Sequence, residues 1–209
     1  MSKVNIDSRY PEEAEVNRPD LPYQEFYEVI SSVFDMQSVR SIIDVGCADG
    51  NLISIIKENN PHISVAGIEY FEYHKKYAKT NIADNIKFLD IRDDLPDDLK
   101  DQKFDIVICT EIAEHIEPEY TQKFLSNLKS LTGQLLIMTW SRHGGEKERH
   151  KDEHHQHLNP LELDQYLITV SNNGFQFNET ATQYLHASAM NKNNFYFWWK
   201  ESLAAWQPN

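Results

Sequence analysis

An acid followed by a turn of small residues is the first feature of the chain that could carry chemistry. Residues 41–50 read Ser-Ile-Ile-Asp-Val-Gly-Cys-Ala-Asp-Gly, so an apolar stretch runs through Asp44 into a turn with glycines at positions 46 and 50. Small residues let a ligand approach the backbone closely. The next apolar run, residues 63–68, stops at a second acid, Glu69. An acid at the end of a second strand is the usual partner of a ribose diol, so the pattern predicts a nucleotide-type ligand.

Acids and histidines recur further along the chain. Residues 110–117 read Thr-Glu-Ile-Ala-Glu-His-Ile-Glu, and the loop 141–157 carries five of the nine histidines. A histidine with a near-neutral pKa can remove a proton from a hydroxyl group. Because alternate residues of an extended segment point the same way, His155 and His157 are the predicted bases. The polar composition and the glycine pair of this region predict a lid over residues 141–159.

Three side chains of the 110–117 segment suggest a second kind of site. If the segment is helical, Glu111, Glu114 and His115 lie on one face, and with His155 they could hold a divalent cation. The simpler interpretation is that Glu114 and His115 brace the pocket by hydrogen bonding. We therefore expect no metal and keep the cation site as the alternative.

The elements that must position these residues alternate between helices and apolar strands. Residues 52, 53, 55 and 56 are apolar, as in a helix packed on a sheet, and residues 104–109 form a β-branched run typical of a buried parallel strand. A strand at 86–89 ends in Asp90. Ligands of open α/β sheets sit at the carboxyl ends of strands, where these polar groups fall. The other predicted elements are helices at 23–34, 71–82, 119–131 (ended by Gly133) and 160–170, strands at 134–140 and 175–177, and a last strand or covering helix at 195–199.

The spacing of the turn distinguishes between nucleotide ligands. A dinucleotide fingerprint needs glycines at 46, 48 and 51, and two of these positions hold Ala48 and Asn51. The arrangement Asp-x-Gly-x-Ala-x-Gly over residues 44–50 instead resembles the first motif of class I S-adenosylmethionine-dependent methyltransferases, usually Asp/Glu-x-Gly-x-Gly-x-Gly. Ala48 replaces the middle glycine. The order of the following elements extends the resemblance over about residues 40–180, since each strand ends in a polar group at the ligand edge.

The resemblance implies a fold, a cofactor and a set of site residues. The implied fold is α/β and Rossmann-like, with a seven-stranded, mostly parallel sheet and helices on both faces. The implied cofactor is S-adenosyl-L-methionine, with Glu69 on the ribose hydroxyls and Asp90 and Ile91 at the adenine. Residues 111–115 resemble the Glu-x-x-Glu-His segment of small-molecule methyltransferases, and residues 154–160 resemble the His-x-Asn/Thr-Pro boundary of the same enzymes. The implied cofactor residues are Asp44, Gly46, Cys47, Ala48, Gly50, Asn51, Glu69, Tyr70, Asp90, Ile91, Thr110 and Glu111, and the catalytic candidates are Glu114, His115, His155 and His157.

Composition narrows the class of partner. The chain has 209 residues, and 33 acids against 20 lysines and arginines give a net charge of −13. Because proteins that hold phosphate backbones usually present basic faces, we expect no long nucleic-acid partner. We expect one domain with an arm at 1–20, no membrane segment, and reduced thiols at the two cysteines in a cytoplasmic setting.

Four functions follow in order of preference. The first is transfer of a methyl group to oxygen or nitrogen of a small-molecule acceptor. The second is metal-dependent 2′-O-methylation of an RNA 3′ end, because the Glu-x-x-Glu-His pattern is similar to the metal site of those enzymes and of ubiquinone-pathway O-methyltransferases. The third is a catalytically silent, cofactor-binding partner subunit. A nicotinamide oxidoreductase comes last.

Overall fold

The computed structural model describes residues 22–142, 157–192 and 201–209. The predictions for the arm at 1–20, for most of the lid at 141–159, for His155 and for the aromatic segment at 195–199 lie outside these ranges. The proposed division into arm, core and lid therefore stays a prediction.

A seven-stranded sheet forms the centre of the molecule, in the order β3-β2-β1-β4-β5-β7-β6. Strands β1 to β5 pair in parallel, and β7 runs antiparallel to both β5 and β6. The predicted sheet, mostly parallel and with seven strands, is confirmed. The strands are β1 Ser41–Val45, β2 Ser64–Glu69, β3 Ile86–Phe88, β4 Phe104–Cys109, β5 Thr132–Met138, β6 Phe175–Phe177 and β7 Ala204–Pro208.

Helices cover both faces of the sheet because the central strands are apolar on both sides. Ile42 packs into one core with α1, α2 and α6, while its neighbour Ile43 packs into the other core with α4 and α5. Within the described ranges, the helices lack the length and apolar character that a membrane span requires. The helices are α1 Tyr23–Ser31, α2 Asn51–Asn59, α3 Asp97–Lys100, α4 Thr121–Leu131, α5 Leu163–Asn172 and α6 Glu179–Met190.

Two predicted features are wrong. The helix at 71–82 is replaced by short 3₁₀ segments, Glu72–Lys76 and Ala83–Asn85. Phenylalanine, tyrosine and histidine are indifferent helix formers, and here the rings of Phe71, Tyr73 and His74 stack in sequence, 4.4–5.4 Å apart. Gly133 does not end a helix but lies in β5, where the Phe104 carbonyl oxygen is 2.9 Å from the position a Cβ would take. The glycine allows β4 and β5 to approach closely.

A buried tyrosine joins three elements on the α4/α5 side of the sheet. The Tyr166 hydroxyl of α5 donates to the Met138 carbonyl oxygen (3.1 Å) and accepts from Nε1 of Trp206 in β7 (3.0 Å). Tyr166 and Trp206 are both fully buried. One hydroxyl therefore satisfies a strand carbonyl and an indole N–H that water cannot reach.

We expect Tyr166→Phe to destabilise the protein by about 1–3 kcal/mol, because the indole N–H and the carbonyl both lose a buried partner. Urea denaturation measures the change. The matched control is Tyr184→Phe, which removes a hydroxyl from a side chain that is 59% exposed on α6 and should be neutral. Equal stability of Tyr166→Phe and the wild type would contradict the role of this hydroxyl.

Candidate active site

The strand order places a crevice between the carboxyl ends of β1 and β4. The order runs outward in one direction from β1 through β2 to β3, and in the other from β4 to β5, so connections diverge at this point. Such a switch point is where open α/β sheets bind ligands. The loops after β1 and β4 meet there, since Ile112 Cδ1 lies 2.2 Å from the position that a Cβ on Gly46 would occupy.

The turn after β1 has three residues in the left-handed region of backbone space. Gly46 and Gly50 have φ of 87° and 79°, and Ala48 has φ of 50°. A Cβ at Gly50 would lie 2.4 Å from Cδ1 of Ile82, just as one at Gly46 would strike Ile112. Close ligand approach was the expected reason for these glycines. That expectation stays a prediction, and the structure adds a second reason, which is backbone conformation together with tight packing of the two isoleucines.

Glu69 fastens this turn to the end of β2. Ala48 N–H donates to Glu69 Oε2 (2.8 Å), and Phe71 N–H donates to Oε1 (2.8 Å). The N–H groups of Gly46 and Cys47 donate to the Ile68 carbonyl oxygen at 2.8 and 3.1 Å. Three consecutive amides of the turn are thus bound to the end of β2. A carboxylate accepts up to about four hydrogen bonds, so the same group is able to orient a backbone and grip a diol.

Asp44 lies in β1 below the turn and is 6% exposed. Burial and, secondarily, the nearby Glu69 carboxylate raise the pKa of Asp44 from 3.8 to about 7. A cation placed beside the two carboxylates would favour the ionised form of Asp44. The electrostatics of this crevice therefore fit a positively charged ligand.

Cys47 and Asn51 have side chains that serve the turn itself. Cys47 belongs to the core on the α2 side, with its Sγ 2.5 Å from the position a Cβ on Gly67 would take. Asn51 Nδ2 donates to Asp49 Oδ1 (2.6 Å). Burial raises the pKa of the thiols of Cys47 and Cys109, so both remain protonated and unreactive at neutral pH.

Asp90, after β3, is held by a buried arginine. Arg92 Nε and Nη2 donate to the Asp90 carboxylate at 2.9 and 2.8 Å, and Nη1 donates to Glu117 Oε2 at 2.7 Å. Ile91 is 7% exposed, and its carbonyl oxygen accepts from Nδ2 of Asn127 (2.8 Å). Asp90 therefore has a fixed orientation at the strand end.

Glu111 adopts a left-handed conformation, with φ of 58°. Such a conformation is uncommon for a residue with a side chain and is often found at functional sites. Its N–H donates to Thr139 Oγ1 (2.8 Å), and the threonine hydroxyl donates to Glu111 Oε1 (3.0 Å). Thr110 precedes it and is half-buried. The loop after β4 is thereby fixed to the end of β5.

Glu114, His115 and His157 form a compact cluster. One potential ligand atom from each lies within 4.8 Å of the others, and the two imidazole centroids are 4.9 Å apart. Glu114 is fully buried, and burial, followed by the charge of Glu111, raises its carboxyl pKa well above the usual range. The cluster is a buried carboxyl group with a raised pKa beside two half-buried imidazoles.

Backbone contacts bring His157 to this place. Leu158 and Asn159 N–H groups donate to the Glu114 carbonyl oxygen at 2.8 and 2.9 Å, and Trp140 Nε1 donates to the Asn159 carbonyl oxygen at 2.6 Å. The segment after the histidine-rich loop is thus bound to both the 110–117 segment and the end of β5.

A divalent cation would find nitrogen and oxygen ligands in this cluster. Glu114, His115 and His157 supply donors of the types that Zn²⁺ and Mn²⁺ accept, and the buried Glu114 carboxyl is not among the hydrogen-bonded groups of the described residues. Glu111 is not a member of this close group, since its carboxylate is bonded to Thr139. The histidine found here is His157, while His155 lies outside the described ranges.

The sequence did not reveal three residues that shape the site. Thr139 is bonded to Glu111, 28 positions away, and Arg92 is bonded to Glu117, 25 positions away. Residues 90–101 are rich in acids, a composition typical of a solvated loop. A lone arginine within that acidic run was the available signal for a buried ion pair.

Comparison with known proteins agrees with this architecture. Residues 43–134 match the family model of a methyltransferase domain. No curated protein matches the sequence.

Solved structures of methyltransferases are similar to the chain over most of its length. Magnesium protoporphyrin IX methyltransferase from Synechocystis with bound S-adenosylhomocysteine has a TM-score of 0.60 at 16% identity, covering 90% of this chain and 83% of that one. The O-methyltransferase of a trans-AT PKS multienzyme from Brevibacillus brevis, in complex with S-adenosyl-L-homocysteine, has a TM-score of 0.60 at 16% identity. The match covers 88% of this chain and 71% of that one. A TehB-like methyltransferase from Corynebacterium glutamicum has a TM-score of 0.58 at 12% identity, and the match covers 88% of each chain. The predicted Rossmann-like fold is confirmed.

We expect the stability of the protein to fall as the pH rises from about 4 to about 7, because folded Asp44 keeps a proton that the unfolded chain releases. Asp44→Asn lacks this charge. It should therefore be more stable than the wild type by a few kcal/mol at pH 8, with the difference vanishing near pH 4.

Urea denaturation at the two pH values measures this difference. Asp84→Asn, which changes an exposed acid, is the control and should match the wild type at both. A difference between Asp44→Asn and the wild type that does not vary with pH would contradict the assignment.

Proposed function

We propose that this chain, whose residues 43–134 match the family model of a methyltransferase domain, transfers a methyl group from S-adenosyl-L-methionine to oxygen or nitrogen of a small-molecule acceptor. The observation that carries the proposal is the pair of carboxylates, Asp44 and Glu69, around a left-handed turn at the switch point. An acid at the end of β2 suits a ribose diol, and a buried acid with a raised pKa suits a cation.

The proposed cofactor supplies a methyl group already activated on a cationic sulfonium. Glu69 would hold the ribose, with Tyr70 beside it, and Asp44 and the 46–51 turn would face the amino-acid end. Asp90 and Ile91 would frame the adenine. Thr110 and Glu111 would border the reacting methyl group, because the loop after β4 meets the turn through the Gly46 and Ile112 contact.

The protein's own task is to align the acceptor and to remove its proton. His115 and His157 lie together at the carboxyl edge of the sheet, so either imidazole can take a proton from an acceptor hydroxyl or amine. Glu114 lies close to both imidazoles, with one potential ligand atom from each of the three residues within 4.8 Å of the others, and burial raises the pKa of its carboxyl. His155 remains a candidate base outside the described ranges.

A small acceptor suits the charge and the neighbours of this chain. The net charge of −13 opposes a polyanionic substrate. Two similar structures are named as an O-methyltransferase and a porphyrin methyltransferase, and these names favour a metabolite-sized acceptor. Both cysteines are buried free thiols, which supports a cytoplasmic setting. A catalytically silent subunit remains the alternative, and it would bind cofactor without transferring methyl groups until a partner is added.

We expect the purified protein to bind S-adenosylhomocysteine and Glu69→Gln to weaken this binding by about 10–100-fold, through loss of a charged acceptor. Isothermal titration calorimetry measures the affinities, with circular dichroism as a check on folding. Glu72→Gln removes an exposed carboxylate three residues away and is the matched control. A wild-type protein that binds no S-adenosylhomocysteine would refute the proposed function.

The Glu114, His115 and His157 cluster supports a second candidate, a metal-dependent 2′-O-methyltransferase of RNA 3′ ends. Under this alternative the three residues would hold a divalent cation that polarises the terminal hydroxyls. The net acidity of the chain argues against it, since RNA binding gains affinity from basic surfaces.

We expect methyl transfer to survive exhaustive chelation, and His157→Ala to slow turnover by at least about 10²-fold with cofactor affinity unchanged, as for loss of a general base. Formation of S-adenosylhomocysteine, with an acceptor found by screening, measures turnover. The control is His62→Ala, at an exposed histidine.

The second candidate requires different results. Chelation would then abolish activity, and Mn²⁺ would restore it and raise the thermal midpoint of the wild type but not of Glu114→Gln. Glu119→Gln, at an exposed acid of the same loop, would respond to Mn²⁺ as the wild type does.

A further inference from the structure

Arg92 is the only cation that the described contacts place between a half-buried and a buried carboxylate, those of Asp90 and Glu117. Its side chain is 1% exposed, against 13% for Asp90 and 7% for Glu117. Nε and Nη2 face Asp90, and Nη1 faces both oxygens of Glu117 at 3.0 and 2.7 Å. The planar guanidinium thus presents separate edges to separate acids.

Two tyrosines flank the same guanidinium. The Arg92 Cζ atom is 5.7 Å from the ring centroid of Tyr70 and 5.7 Å from that of Tyr120. Both distances are within the range of cation–π attraction. Tyr70 directly follows Glu69 at the end of β2, and Tyr120 immediately precedes α4. The arginine therefore contacts three strand-end segments, after β2, β3 and β4.

These segments border the two parts of the proposed site, which are the cofactor residues after β2 and β3 and the pair of His115 and His157. Tyr70 and Asp90 belong to the side on which Glu69 would hold the cofactor. Glu117 is two residues beyond His115, in the loop whose Glu114 carbonyl holds the His157 segment. A displacement of the Glu117 carboxylate must move Arg92 or leave a buried charge without its partner, and Asp90 shares that arginine. The guanidinium of Arg92 therefore joins Asp90, on the cofactor side, to Glu117, in the loop that carries His115.

We propose that Arg92 is a positioning residue that couples cofactor binding at the ends of β2 and β3 to the placement of the His115 and His157 pair. The inference rests on the proposed function. Arg92 acts through Asp90 and Glu117 rather than on the reacting atoms. Lysine cannot replace it, because an ammonium group cannot present flat, separate edges to both acids.

The test uses a residue on the far side of the arginine. Glu117→Gln changes the acid bonded to Arg92 Nη1 and not a residue of the proposed cofactor set, yet it should weaken S-adenosylhomocysteine binding by about tenfold through loss of one charge-assisted contact. Arg92→Lys should weaken it at least as much. Lys123→Gln removes an exposed ion pair with Asp94 in the same region and should bind S-adenosylhomocysteine within about threefold of the wild type.

A second measurement separates coupling from loss of stability. In protein labelled with ¹⁵N-histidine, S-adenosylhomocysteine should shift the ring signals of His115 and His157 in the wild type, with assignments from single glutamine variants. At saturating ligand the same shifts should fall by half or more in Glu117→Gln.

The proposal is overturned if folded Glu117→Gln binds S-adenosylhomocysteine as tightly as the Lys123→Gln control, or if its histidine signals respond as in the wild type. A wild-type protein that does not bind S-adenosylhomocysteine would overturn the proposed function as well, so the two failures are distinguishable.

Discussion

The attachment of the 46–48 turn to the end of β2 sets the geometry on which the crevice depends. Three successive N–H groups of the turn donate either to the Ile68 carbonyl or to the Glu69 carboxylate. Adjacent amides in a turn of this conformation point the same way. The Ile68 carbonyl and the Glu69 carboxylate therefore bind all three N–H groups together. Glu69 therefore has a structural duty in addition to its proposed role toward the cofactor. Any ligand at this edge meets a carboxylate whose orientation is already fixed.

The ionisable side chains of the interior lie in two kinds of environment, one with an oppositely charged partner and one without it among the described contacts. Around Arg92, one cation is matched by two acids: two guanidinium nitrogens bind Asp90, and Nη1 binds both oxygens of Glu117. Among the described contacts, neither Asp44 nor Glu114 is paired with a cation, and burial followed by a neighbouring carboxylate raises the pKa of each. The matched group lies at the periphery of the crevice, where it holds loops together. A cation bound beside either of these two acids would favour its ionised form.

The parts of the fold that local pattern decides could be predicted, and the parts that depend on distant contacts could not. The run at 104–109 is apolar and β-branched and forms β4. The acids at 69 and 90 lie at one edge of the sheet because the carboxyl ends of parallel strands share an edge. The helix at 71–82 failed because aromatic packing and the bond from Phe71 to Glu69 outweigh local propensity. Within the described residues, α6 and β7 were not predicted either. The sequence of α6 is only weakly amphipathic, and β7 is defined by its pairing with β5 and β6. Thr139 was invisible for the same reason: its importance comes from a residue 28 positions away.

The place of β7 in the sheet has a consequence for how the molecule is made. Residues 204–208 pair with β5 on one side and β6 on the other, so these two strands join the same sheet only through the segment that follows them. While the chain emerges from the ribosome, the β5 edge stays open and β6 has no described strand partner until that segment arrives. An uncovered strand edge is prone to pairing with another chain. The β5 edge of the nascent chain is therefore open to chaperones or to aggregation until β7, the last described strand, pairs with it.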